Sequence, residues 1–306
     1  PGYENDATLL GLPSQISGIV SQTRSQLSQY CGSHASAVQI MITESNSVYG
    51  NPGKQMLSIV NALFLADDYM TWLEHGVANV DWWDLHNGAY PGNTSSSLAG
   101  NANFGDYGVL SSASCANGSC EPAANTPFSS YFGLQMLAKL GGAGDTMVSS
   151  SSNQGMVAVH AVKLSNGKLA VMLINKDPRN THSASLALSG YSAANATTIY
   201  SYTSGASSLS SSQSSGLTVQ LPAYSLTTVV LSSGNGGGNP GPTPTPGKGN
   251  PTPTPTPAPG GGSGYYKIVN RNSGKVLDIS GASTSNGGVA IQWPYSGSNN
   301  EQWQEV

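Results

Sequence analysis

The residues best placed to do chemistry sit at the ends of two apolar runs. Ala37–Glu44 reads AVQIMITE and breaks at once into the polar, turn-forming stretch Ser45–Gly50. An apolar run that ends in an acid and then a loop is the pattern of a buried parallel strand delivering a carboxylate to its C-terminal mouth. A second run, Val77–Trp83 (VANVDWW), ends in Asp81, Trp82, Trp83, Asp84 and His86. A carboxylate can attack an electrophilic carbon, take a proton or bind hydroxyls. An indole face packs against the apolar face of a sugar ring. Glu44 is therefore the candidate nucleophile, with Asn46, Trp82, Trp83, Asp84 and His86 as candidate substrate contacts. Along a regular strand Trp82 and Trp83 point to opposite faces, so only one can face a substrate. Structural alternatives stay open: Glu44 as a cap for the next helix, either tryptophan as packing, and Asp81 as a loop hydrogen-bonder.

The elements around these runs explain how they could be positioned. Residues 14–30 read as a helix with Ser14 as N-cap and Ile16, Ile19, Val20 and Leu27 as an apolar stripe. A second helix follows Asn51-Pro52-Gly53 and carries Met56, Ile59, Val60, Leu63, Met70 and Leu73 on one broad face, stopping at Gly76. A Gly/Asn/Ser-rich loop fills about 87–126, and Phe128–Leu140 reads as a third helix. Helix, strand, helix, strand, helix is the order at the end of a (β/α)8 TIM barrel, whose sites lie at the C-terminal ends of the strands. A whole barrel takes ~250 residues, so residues 1–145 are expected to be its last strands and helices, and the chain a fragment. From Thr146 to Ser233 the period becomes two. Val157–Val162, Lys168–Ile174, Ala184–Leu188, Thr198–Tyr202 and Leu217–Leu221 read as short strands, with Asn166-Gly167 as a hairpin turn. A β-sandwich over 146–233, covering one flank of the barrel, is the expected result.

Composition narrows the partners. Only 8% of the 306 residues are charged and the net charge is −4, with no basic patch to meet a phosphate backbone, so no nucleic-acid partner is expected. No apolar stretch is long enough to span a bilayer, so no membrane partner is expected either. His34, His75, His160 and His182 share no ligand spacing, and neither a metal nor another cofactor is called for. Cys115 and Cys120 flank a turn-forming tetrapeptide and could form a small disulfide in an exported protein, leaving Cys31 over. Residues 234–263 are Gly-rich and then repeat Pro-Thr, an extended linker without a core of its own. Low charge and this linker point to an extracellular, secreted protein.

Two resemblances sharpen the reading. Residues 264–306, through Lys275–Ile279 (KVLDI), Ile291–Pro294 (IQWP) and Glu301–Trp303 (EQW), resemble the first repeat of a ricin-type β-trefoil lectin. That resemblance implies a carbohydrate-binding module with Asp278, Gln292, Trp293 and Asn300 as its site. It departs from the family at Glu301, where Gln is usual, and at Ile291, where family sites often carry Gln. Residues 1 to about 233, through Ile42–Asn46 (ITESN) and Val80–Gly88 (VDWWDLHNG), resemble clan A glycoside hydrolases, α-L-arabinofuranosidase-type enzymes most of all. The resemblance implies retaining hydrolysis of plant-type polysaccharide, with Glu44 as nucleophile on the penultimate strand and the acid/base on a fourth strand outside this chain. The 306-residue stretch alone is then expected to be inactive. The alternatives are an endo-glycanase of the same clan, a xylanase or galactanase, or a non-catalytic carbohydrate-binding protein. Oligomeric state is not readable.

Overall fold

The computed structural model describes residues 4–234, 265–270, 273–285 and 289–303; apart from Gly234, the linker expected over 234–263 lies outside them. The chain falls into two compact units, 1–238 and 239–306. The first begins with helix α1 (Asp6–Gly11), a 3-10 turn (Leu12–Gln15) and helix α2 (Ile16–Cys31). The start lies earlier than the expected Ser14. Asn5 is the N-cap, accepting the Thr8 N–H at 2.9 Å, and Ser14 instead donates to the Gly11 carbonyl. Ile16 and Val20 are buried, whereas Ile19 stays 48% exposed.

Strand β1 (Met41–Ser45) pairs in parallel with β2 (Asn79–Trp82), and helix α3 (Ile59–Glu74) crosses between them. β1 is shorter than Ala37–Glu44, because Gly32–Ala37 form a 3-10 segment. It is not buried either. Met41, Thr43 and Glu44 are exposed, since β2 is its sole strand neighbour among the described residues. These two parallel strands do not close a barrel. Helix α3 is capped by Ser58, whose hydroxyl accepts the Val60 N–H at 3.2 Å, and ends before Gly76, whose φ of +81° favours glycine. It is buried on every side from Ile59 to Asp68, rather than on one face.

Helix α4 (Ser129–Leu140) lies against α3, and a hairpin of β3 (Cys115–Ala116) and β4 (Ser119–Cys120) interrupts the loop before it. The remaining strands of this unit are β5 (Thr146–Val148), β6 (Val157–Lys163), β7 (Leu169–Asn175), β8 (His182–Ser185), β9 (Ala193–Thr203), β10 (Ser210–Ser214), β11 (Thr218–Leu221) and β12 (Ser225–Ser233). Six form one antiparallel sheet in the order β10-β9-β12-β7-β6-β5, and β11 pairs with β8. One face, with Val162, Ala170, Met172, Ile174, Tyr202 and Leu226, packs on α3 and α4 around Leu63, Phe64, Phe132 and Met136. The other face, with Val157, Val171, Leu173 and Val229, meets Val219 and Leu221 of β11. Cover on both faces explains why β7 reads as an unbroken apolar run: all seven of its residues are buried.

The second unit holds a hairpin of β13 (Val276–Ile279) and β14 (Ala290–Trp293), with single bridges Tyr266–Trp303 and Val269–Val276.

Candidate functional site

The C-terminal ends of β1 and β2 lie side by side, with Ser45 in register with Trp82. Glu44 is exposed there, and among the described residues its carboxylate has no hydrogen-bond or ion-pair partner. The neighbouring residues are all committed. Ser45 O accepts the Trp83 N–H at 3.0 Å. The Asn46 amide donates to the carbonyls of Trp83 and Tyr107, and its Oδ1 accepts the Ser47 N–H at 2.6 Å. Asn46 thus braces the strand ends and has little capacity left for a substrate hydroxyl.

The two tryptophans separate as alternation demands. Trp82 turns into the core, with ring centroids 6.3 Å from Phe64 and 6.2 Å from Tyr69. Trp83 is 46% exposed. Of the pair, Trp83 is the one open to solvent, and Trp82 packs partly buried against the core. The Trp83–Asp84 peptide is cis. Asp84 Oδ2 accepts from Asn87 at 3.3 Å while Oδ1 is buried with no partner among the described residues, and burial pushes its carboxyl above the usual range. His86 Nε2 pairs with Asn125 Oδ1 at 2.8 Å, and Asp81 accepts from Asn79 at 2.8 Å.

Residues 84–110 are fastened beside these strand ends by backbone bonds: Asp84 N–H to Tyr107 O, Val109 N–H to Asp84 O and Leu110 N–H to Leu85 O. An added Cβ on Gly105 would lie 2.2 Å from the Pro52 carbonyl, so the two loops touch backbone to backbone. Two buried acids organise the loop. Asp106 accepts from the amides of Gly88 and Gly108, and burial next to Glu121 raises it to about 7. Glu121 gathers Ser111, Ser112 and Ser114. Cys115 and Cys120 form a disulfide, and Cys31 is free. Tyr107 rests edge-on against Tyr90, itself 42% exposed, at 5.8 Å.

Reading the sequence missed the support beneath β1. Asp68 of α3 is buried and accepts from Ser45 Oγ at 2.8 Å and the Trp72 indole at 3.1 Å. Its neighbour Asp67 bonds His160 Nε2 at 2.9 Å and Lys176, and Glu74 bonds His160 Nδ1 at 2.9 Å. The signal was present as two adjacent acids inside the apolar stretch Ile59–Met70. No group of three or more His, Cys, Asp or Glu side chains is arranged to hold a metal among the described residues.

In the second unit Asp278 is 5% exposed and accepts from the Asn300 amide, which also donates to Ile279 O. Trp293 is 57% exposed, and Gln292 Oε1 accepts from Ser273 Oγ at 2.6 Å. The structure thus joins Asp278 to Asn300 directly and ties the Gln292 amide elsewhere. Glu301 is fully buried, and its carboxylate collects the N–H groups of Ser296, Gly297 and Ser298. The acid at this position therefore folds a turn.

Residues 257–306 match the family model for ricin-type β-trefoil lectin domain-like sequences. No curated protein matches the chain in sequence. Among solved structures, the α-L-arabinofuranosidase from Thermotoga maritima in its arabinose complex is 12% identical over 76% of this chain and 50% of its own, with a TM-score of 0.51. A second arabinofuranosidase is 9% identical over 76% of this chain and 51% of its own, with a TM-score of 0.51. The catalytic domain of GH30 xylanase C from Talaromyces cellulolyticus is 18% identical over 64% and 41%, with a TM-score of 0.46. The chain spans about half of these proteins or less. Its structural neighbours are glycoside hydrolases, with the fold shared at low identity, and its C-terminal segment is similar to ricin-type β-trefoil lectin domains.

Proposed function

We propose that this chain is part of a secreted glycoside hydrolase that acts on plant-type polysaccharide by a retaining mechanism and releases arabinofuranosyl units. The observation that carries the reading is the placement of Glu44: an exposed, unpartnered carboxylate at the C-terminal end of a parallel strand, beside the exposed Trp83 at the end of the next. Retention needs a carboxylate free to bond the anomeric carbon, with a second carboxyl group to protonate the leaving oxygen. A glutamate unpaired among the described residues meets the first need, because no cation there holds its electron pair back. Trp83 supplies an apolar platform for the ring, Asp84 and His86 supply polar groups for hydroxyls, and Asn46 and Ser45 hold the two strand ends together. The second unit, with its exposed Trp293 and its Asp278–Asn300 pair, then serves to keep the enzyme on its polymer.

The test is Glu44→Gln in the full-length enzyme, assayed on arabinofuranosyl and xylosyl aryl glycosides. Turnover is expected to fall by at least about a thousandfold with the melting temperature unchanged, since an amide cannot form the covalent intermediate. Wild-type turnover in that variant would refute the reading. The exposed Tyr90 and its partner Tyr107 favour a second reading, an endo-glycanase binding several sugar units. Rates on polymeric xylan well above those on aryl arabinofuranosides would select it.

A further inference from the structure

Ser45 is a crossing point of two bonds. Its carbonyl accepts the Trp83 N–H at 3.0 Å, and its hydroxyl donates to Asp68 Oδ2 at 2.8 Å. The pairing of β1 with β2 is irregular between Ile42 and Ser45; there Ser45 meets α3 through Asp68, while Glu44 is exposed. Asp68 is itself held fast: Trp72, one helical turn further on, donates its indole N–H to the other oxygen at 3.1 Å. Both carboxylate oxygens can only accept, so the Ser45 hydroxyl has one orientation available to it. The cations in this layer do not serve Asp68, because Lys176 and His160 both bond Asp67. A buried carboxylate without a cation is costly, and a neutral side chain could have held a serine hydroxyl as well.

We propose that Asp68 is a positioning residue that acts through Ser45 to set Glu44 and Trp83 in their mutual geometry. This rests on the reading of Glu44 as the reacting group. The chain of bonds runs from α3 through one serine into the strand that carries the acid and on to the backbone of the residue that carries the platform. A carboxylate with a fixed acceptor geometry orients that serine more rigidly than a rotatable hydroxyl or amide would.

Burial raises the Asp68 carboxyl to about 6, with the hydrogen bonds from Ser45 and Trp72 offsetting part of the rise and Asp67 adding to it. Asp81 of β2 and Asp68 both act electrostatically on Tyr69 of α3, and Glu44 is exposed on β1. The test is a pH titration of the 15N-labelled 306-residue chain, following the Trp83 backbone amide and the Trp72 indole. Both signals are expected to move with a shared midpoint of about 6, and both should stop moving in Asp68→Asn. In Ser45→Ala the indole should still titrate while the Trp83 amide falls silent. A Trp83 amide that never moves in the wild type, or that still titrates in Ser45→Ala, overturns the proposal. Should Ser45→Ala fail to fold, the wild-type and Asp68→Asn titrations decide alone. None of these signals depends on turnover, so unchanged hydrolysis in Glu44→Gln would sink the assignment of Glu44 without touching the Asp68–Ser45–Trp83 linkage.

Discussion

Asp67 and Asp68 are adjacent on one helix and meet opposite electrostatic conditions. Successive side chains on a helix diverge by about a hundred degrees, so Asp67 turns to the sheet and Asp68 to β1. Burial opposes ionisation at both. At Asp67 the hydrogen bond from His160 and the charge of Lys176 overcome it and lower the carboxyl; at Asp68 no such cation is paired, and burial wins. His160 shows the other half of the balance: burial alone would depress it, yet bonds to Asp67 and Glu74 raise it to about 9. Because the folded value lies above the unfolded 6.5, its stabilisation is complete below that pH and is lost as pH climbs through 9. Asp67 works in reverse, contributing above its unfolded value of 3.8 and losing as pH falls. His160→Gln should therefore cost about 3 kcal/mol in urea melts near pH 6, where it removes the imidazolium that the buried Asp67 shares with the more open Glu74 and leaves Asp67 with Lys176 alone. The deficit should shrink by pH 10; a constant deficit would show that the imidazolium charge is not what matters. At this scale the strand-end acids and tryptophans were legible because runs that end abruptly in polar residues announce themselves. The support beneath them was not, because four histidines with no ligand spacing say nothing about which of them meets an acid more than eighty residues away.

A helix or strand is read from its own pattern, and errors arise where neighbours set the burial. Helix α3 carries enough apolar residues for a single stripe, yet β2, α4 and the sheet enclose it, so Asn61, Asp67 and Asp68 are buried with the rest. Leu63, fully buried at the centre of that packing, should lose about 3 kcal/mol on change to Ala, read as a lower urea midpoint at unchanged m-value. Leu27→Ala on the half-buried side of α2 should cost well under half as much. Strand β1 erred the other way: its apolar residues promised burial, but a strand with one described neighbour leaves half its side chains open. Strand β12, Ser225–Ser233 (SLTTVVLSS), is rich in β-branched residues but shows no apolar alternation, and it lies mid-sheet between β9 and β7. Its threonines and serines masked a strand whose Thr227 and Thr228 are fully buried.

Across the first unit, what looked in sequence like a change from helical period to strand period is not a break in the core. Val162, Ala170, Met172 and Ile174 of the sheet share one apolar cluster with Leu9, Leu63 and Phe132 of the helices. Period alone could not reveal this, because it reports which face is buried and not what buries it. The second unit, by contrast, was legible from local motifs, since the strands Val276–Ile279 and Ala290–Trp293 that carry them pair with each other. One side chain spans the larger unit. Lys176 donates to the carbonyl of Leu10, 166 residues earlier, while it also holds Asp67. A bond between such distant points cannot assist the early search of the chain, because the loop it closes must already be shut by other contacts. It should therefore be absent from the transition state and act only as a latch on the finished molecule. In Lys176→Met the refolding limb of the chevron should coincide with that of the wild type, while the unfolding limb rises about tenfold or more. Slower refolding would place this latch in the nucleus. If it does act late, the lifetime of the folded protein can be tuned at this one ammonium group without altering how fast the fold is found.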